Sequence, residues 1–173
     1  MSETVREMIP EADLNARIAE LGAQISKDYE GESVYLICIL RGAAPFACEL
    51  AKRITVPVTI DYMTTSSYGA GTVSTGEVRI KSDVEIPVEG RNVLIVEDII
   101  DSGNTLHYLL DVFKNRNAKS VRLCTMLDKP ERREVAVDVD YVGFTIPDEF
   151  VVGYGLDYDQ KYRNLPYIGV VEL

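Results

Sequence analysis

The stretch Val93-Leu94-Ile95-Val96-Glu97-Asp98-Ile99-Ile100-Asp101-Ser102-Gly103-Asn104-Thr105-Leu106 constrains this chain most. Four aliphatic residues run into two adjacent carboxylates. Two more aliphatics and a third carboxylate follow, and then a small, hydroxylated turn that opens into a helical pattern. A continuous apolar run of this kind reads as a strand buried on both faces, the signature of a parallel sheet. Carboxylates against such a strand are costly unless they are paired or bind something. The turn can be read in two ways. It can be a plain helix cap, with Asp101, Ser102 and Thr105 as candidates. It can also be an anion site, built from backbone N–H groups opened by Gly103 and flanked by hydroxyls at a helix N-terminus. With carboxylates beside it that can hold Mg²⁺ or sugar hydroxyls, the second reading points to a phosphorylated sugar.

The remaining pattern supports an α/β fold. Leu14, Ile18, Leu21 and Ile25 recur at helical spacing after Ile9-Pro10-Glu11, and Pro suits the first turn. Val34 to Leu40 is a second buried strand, ending at Arg41-Gly42 and followed by a short helix with Ala43, Phe46, Ala47 and Leu50 on one face. Val56 to Thr65 alternates, with Val58 and Ile60 expected on the apolar side against Thr59 and Asp61. The stretch from Ser66 to Gly76 is Gly-rich and polar, and fits either a plain connection or a mobile lid. Strand patterns recur at Val78–Lys81, Ser120–Leu127, Tyr141–Thr145, Val151–Tyr154 and Tyr167–Val171. Strands alternating with helices predict a mainly parallel twisted sheet flanked by helices, which binds its ligand at the strands' carboxyl ends. Arg41-Gly42, Glu97-Asp98, Lys129 and Asp157 all fall at such ends.

Composition narrows the function. At 173 residues with 46% apolar content, one domain with a real core is expected. The net charge of −10 argues against nucleic-acid or anionic-membrane binding. The absence of any membrane-length apolar run or signal pattern points to the cytoplasm. Cys38, Cys48 and Cys124 are expected to be buried thiols. With His107 as the single histidine, neither a zinc cluster nor a Ser/His/Asp nucleophile is credible.

Three regions together carry a family resemblance. Val-Glu-Asp-Ile-Ile-Asp-Ser-Gly-Asn-Thr-Leu (Val96–Leu106) resembles the phosphoribosyl-pyrophosphate signature of the type I phosphoribosyltransferases, in the form found in the hypoxanthine/guanine branch. Leu40-Arg41-Gly42-Ala43 resembles that branch's pyrophosphate loop, and Val142 to Arg163 its purine-binding hood. The resemblance runs from about Ile9 to the C-terminus. It implies the type I fold in a single domain over residues 1–173, with a lid near 65–77 and a hood built from the N-terminal segment and about 131–173.

The implied activity is purine salvage: Mg²⁺-dependent transfer of phosphoribose from phosphoribosyl pyrophosphate to hypoxanthine and/or guanine, giving IMP or GMP and pyrophosphate. The alternatives are a xanthine-preferring relative and a nucleotide-sensing RNA-binding protein of the same fold. The implied assembly is a homodimer or homotetramer. Glu97 and Asp98 are implied to hold the ribose, directly or through Mg²⁺, and Ser102, Gly103, Asn104 and Thr105 the 5′-phosphate. Asp101 is implied to be the general base at purine N7, its proton affinity expected to rise through the crowding of carboxylates. Arg41 and Gly42 are implied to bind pyrophosphate, in part through a cis Leu40–Arg41 peptide, and many relatives carry Lys in place of Arg41. Ser67 and Tyr68 are implied to belong to the lid, and Lys129 to donate to the purine 6-oxo group. Phe150 is implied to stack on the base, Val151 to pair with it, Asp157 to anchor a second Mg²⁺, and Arg163 to help hold pyrophosphate.

Overall fold

The computed structural model describes residues 2–67 and 77–173. Its main sheet has six strands: β2 (Val34–Ile39), β3 (Val58–Ser67), β4 (Val78–Ser82), β5 (Asn92–Ile100), β6 (Ser120–Asp128) and β7 (Tyr141–Thr145). Their order is β4-β3-β2-β5-β6-β7. All neighbours are parallel except β4, which returns antiparallel to β3. A smaller antiparallel sheet joins β1 (Thr4–Ile9), β9 (Ile168–Glu172) and β8 (Val151–Val152) in the order β1-β9-β8. Thus both ends of the chain meet in one sheet.

Helices cover both faces of the main sheet because β2 and β5 are apolar throughout. Alternate residues feed opposite cores. Leu36, Cys38, Leu94 and Val96 pack toward α1 (Glu11–Asp28) and α2 (Ala44–Lys52). Tyr35, Ile37, Val93 and Ile95 pack toward α3 (Asn104–Asn115). The expected apolar faces hold: Leu14, Ile18, Leu21 and Ile25 are buried on α1, and Leu106, Leu109 and Phe113 on α3. From β2 the chain winds one way to β3, while from β5 it winds the other way to β6 and β7. The switch point where ligands bind in such sheets therefore lies between the carboxyl ends of β2 and β5.

Three expectations are corrected. On β3 the inward residues are Asp61 and Met63, while Ile60 and Tyr62 are each 42% exposed. Asp61 is tolerated inside because its carboxylate is fully engaged. It accepts from the Tyr35 hydroxyl at 2.7 Å and from the backbone N–H groups of Tyr62 at 2.7 Å and Glu85 at 2.9 Å. Burial alone would raise its pKa, but these hydrogen bonds outweigh burial and hold it below the ordinary value. Second, Cys48 is exposed, unlike Cys38 and Cys124. Third, Glu97-Asp98 is not the end of β5, which runs on to Ile100. Its ladder with β2 ends at Val96–Cys38, while its ladder with β6 continues to Ile100–Asp128.

Replacing Asp61 with Ala leaves the backbone N–H groups of Tyr62, Glu85 and Ile86 without this acceptor, and the Tyr35 hydroxyl with the Ile86 carbonyl alone. A loss of about 2–3 kcal/mol is expected in urea unfolding. A loss below about 0.5 kcal/mol would show that water replaces the carboxylate.

Candidate active site

The overhang of β5 past β2 creates the site. Glu97 and Asp98 sit on the strand itself, beside a gap left where β2 has already turned at Leu40. The backbone N–H of Asp98 donates to Glu97 Oε1 at 3.2 Å, and that of Ile99 donates to Asp98 Oδ1 at 2.6 Å. The Leu40–Arg41 peptide is cis. Gly42 presses directly on the acid pair: a Cβ built on it would lie 1.8 Å from Asp98 Oδ2. On the other side, a Cβ on Gly155 would lie 2.0 Å from the Gly42 carbonyl oxygen. Asp98, Gly42 and Gly155 are thus stacked with no room for a side chain between them.

Glu97 lines two cavities. One, of about 240 Å³, is bounded by Glu97, Asp101, Ser102, Gly103 and Thr105. Gly103 is left-handed (φ +87°) and precedes α3, whose start has no side-chain cap and no acidic residue in its first turn. By contrast, α1 carries Glu11 and Asp13 in its first turn. With no cap from Gly103 and no acid in the first turn, this helix start leaves N–H groups beyond that of Asn104 and the positive end of the helix dipole for the cavity, which suits an anion. Of the three expected caps, only Ser102 acts locally, its Oγ accepting from the Asn104 N–H at 3.2 Å.

The other cavity, of about 380 Å³, is bounded by Arg41, Gly42, Glu97, Asp98, Asp157 and Arg163, together with Thr64, Thr65, Lys81 and Gln160. Arg163 is pinned there: it donates to the Gly155 carbonyl at 2.7 Å and meets Asp157 at 3.2 Å. The Gln160 side-chain oxygen accepts from Arg163 and from Arg41, both at 3.2 Å. The Gln160 N–H donates to Asp157 at 2.9 Å.

None of the base-recognition candidates Lys129, Phe150 and Val151 lines either cavity; Lys129 adjoins the first through Asp101. Lys129 is only 8% exposed, and its Nζ lies 3.9 Å from Asp101 and 3.8 Å from Asp148. Phe150 is 55% exposed and meets Tyr158 edge-on at 5.6 Å. Val151 is buried on β8, an edge strand of its sheet. The Asn104 side chain turns away from the phosphate cavity to Glu134 at 3.3 Å. Ser67 closes β3, while Tyr68 and the rest of the expected lid lie outside the described residues. Among the described residues, no three Asp, Glu, His or Cys side chains converge to hold a metal unaided, so Glu97, Asp98 and Asp157 are not a closed metal site.

Crowding and burial of carboxyls are felt at the acid pair. Burial first, and then the charge of Asp98, pushes the Glu97 carboxyl well above its ordinary value; burial also raises Asp98. Neither has a Lys or Arg at ion-pair distance among the described residues. Gln160 and Lys81 carry no motif in the sequence, and Asp148 and Tyr158 lie in the hood-like segment with no role read for them there. Only the spacing of Gln160 between Asp157 and Arg163 hinted at its place.

The sign of the pH effect follows. A carboxyl with a raised folded-state pKa holds more protons folded than unfolded, so it costs stability as pH rises through and above its unfolded value. The difference in melting temperature between Glu97→Gln and the unaltered chain, both metal-free, should therefore grow in favour of the variant from about pH 4.5 to pH 8. A difference that stays constant over that range would refute an uncompensated Glu97.

Residues 10–159 match the family model described as "Phosphoribosyl transferase domain". The chain is 56% identical over 165 residues to the "Bifunctional protein TilS/HprT" of Listeria innocua, covering 95% of this chain but 26% of that protein. It is 53% identical over 175 residues to the hypoxanthine phosphoribosyltransferase of Escherichia coli K12, covering 100% of this chain and 98% of that one. A crystal structure of a hypoxanthine-guanine phosphoribosyltransferase from Bacillus anthracis superposes with a TM-score of 0.92 at 44% identity, covering 99% and 100% of the two chains.

Proposed function

Because the chain belongs to the phosphoribosyl transferase family, we propose that it joins hypoxanthine or guanine to the phosphoribosyl group of 5-phosphoribosyl 1-pyrophosphate. The products are the nucleoside monophosphate and pyrophosphate. The observation that carries this reading is that Glu97 lines both cavities. A molecule with a phosphate at one end, a pyrophosphate at the other and a ribose between them fits such a pair.

In this reading the N–H groups at the start of α3, with Ser102 and Thr105, hold the 5′-phosphate. Glu97 and Asp98 accept from the ribose hydroxyls. Arg41, the Gly42 backbone and Arg163 hold the pyrophosphate. The donor set also fits Mg²⁺: Glu97, Asp98 and Asp157 are hard oxygen ligands, the first two have no Lys or Arg at ion-pair distance among the described residues, and substrate oxygens and water would complete the shell. A Mg²⁺ ion held there would supply charge neutralisation for the pyrophosphate.

The C1′–oxygen bond to pyrophosphate breaks as purine N9 bonds to C1′. Asp101, at the rim of the phosphate cavity, takes the N7 proton. Lys129, fixed by Asp148, donates to the 6-oxo group, which an adenine amino group cannot replace as acceptor. Phe150 offers an exposed ring face for stacking, and the backbone of Val151 an edge for pairing. Ser67 and Tyr68 belong to a lid that excludes water. The strands at both chain ends and the segment after Glu131 form the hood of a single domain. Among the described residues no helix is long and apolar enough to cross a membrane, in keeping with a cytoplasmic enzyme. The exposed Ile60 and Tyr62 support assembly into a homodimer or homotetramer.

An ultraviolet assay with Mg²⁺, phosphoribosyl pyrophosphate and each of four purines tests the reading. Turnover is expected with hypoxanthine and guanine, less with xanthine and none with adenine, and excess EDTA should abolish it. No turnover with any 6-oxopurine would overturn the proposal. Asp101→Asn should lower kcat about 10²–10⁴-fold while phosphoribosyl pyrophosphate still binds; undiminished kcat would remove Asp101 from the mechanism.

A further inference from the structure

Resting on the phosphoribosyl-transfer reading, we infer that Lys81 is a further binding residue for the pyrophosphate group. Its position comes from an irregularity in the β3–β4 ladder. Thr64 pairs with Ser82 and Thr65 with Ile80, so two adjacent residues of β3 face residues two apart on β4. Lys81 is the extra residue of a β-bulge. Bulges occur beside active sites because they take one side chain out of the regular alternation and re-aim it. Here the re-aimed side chain lines the 380 Å³ cavity, opposite the loop that carries Asp157 and Arg163.

The charges in that cavity give Lys81 its role. Arg41 is engaged with Gln160, and Arg163 with Asp157, Gly155 and Gln160. Among the described residues Lys81 has no hydrogen-bond or ion-pair partner, although Glu97, Asp98 and Asp157 line the same cavity. The two arginines are held by the protein at fixed positions; the lysine is left free to follow its ligand. A compact ammonium on a flexible stem suits a phosphate that arrives in the substrate and departs as a separate product. The ligand class is therefore a diphosphate, either ester-linked in the substrate or free.

Lys81→Met tests this in the full chain with Mg²⁺. Its KM values for phosphoribosyl pyrophosphate in the forward reaction and for pyrophosphate in the reverse reaction should rise about tenfold, the scale of one lost charge-assisted hydrogen bond. Its KM values for hypoxanthine and the nucleoside monophosphate should stay within about twofold, and Lys81→Arg should recover most of the loss. Unchanged KM for pyrophosphate, or an equal rise for the monophosphate, would overturn the inference. Calorimetric titration of magnesium pyrophosphate into the unaltered chain and Lys81→Met separates the two readings. If the unaltered chain transfers no phosphoribose, the reaction reading fails. The titration still decides Lys81, because equal affinities would exclude it and about tenfold weaker binding to the variant would support it.

Discussion

The site depends on a difference in length between two ladders. β5 stays paired with β6 for four residues after it has parted from β2. Glu97 and Asp98 are therefore carried by a strand rather than a loop, and their positions are set by the sheet. Strand geometry also puts consecutive side chains on opposite faces, so two adjacent acids can serve neighbouring spaces. Glu97 borders the phosphate-loop cavity as well as the pyrophosphate cavity, whereas Asp98 borders only the latter. The cost is desolvation of both carboxyls, which at Asp98 the charge of Arg163 offsets only in part. Stability alone would favour replacing them with apolar residues, so their presence is better explained by a ligand.

A second layer fixes the rest of the site against this strand. The Asp98–Gly42–Gly155 stack brings the turn after β2 and the loop after β8 to the same acid. That loop is locked internally: Tyr154 N–H donates to Leu165 and Gly155 N–H to Arg163. Tyr154, Asp159, Gln160 and Tyr162 all adopt positive φ within it. Such backbone persists only where the surroundings over-determine it, and it clusters at ligand clamps. On the opposite side, the backbone N–H groups of Glu134 and Val135 both donate to the Ser102 carbonyl, and Arg133 is paired with Asp128. The residues after Lys129 thus strap the phosphate turn to the end of β6. Small displacements in either clamp would change the distance between a base held near Lys129 and a sugar held near Glu97.

Much of this was legible in the sequence, and the exceptions share a cause. Helical spacing located α1 and α3, and unbroken apolar runs located β2, β5 and β6, because these patterns reflect burial directly. The facing of β3 was misread because an aspartate had to be placed inside, and its partners Tyr35 and Glu85 come from distant segments. Lys129 reads locally as a surface residue, but packing beside Asp148 buries it. Gln160 and Lys81 reach the site through a left-handed backbone and a bulge, neither of which leaves a periodic trace. The roles given to Phe150, Asp157 and Arg163 came from family resemblance, since their local composition is ordinary.

An acidic chain that binds a polyanion must rely on contacts rather than on its overall field. With a net charge of −10, the long-range potential opposes the ligand, but at physiological salt it is screened over about 8 Å. Inside that distance lie the uncapped start of α3, Arg41 and Arg163, together with three carboxylates. The carboxylates would repel a bare diphosphate and would welcome one that brings its own divalent cation. On the proposed reading, the apparent excess of negative charge would act as a filter: it would make the metal-complexed substrate the better fit and leave the arginines to orient a ligand whose charge is already partly neutralised.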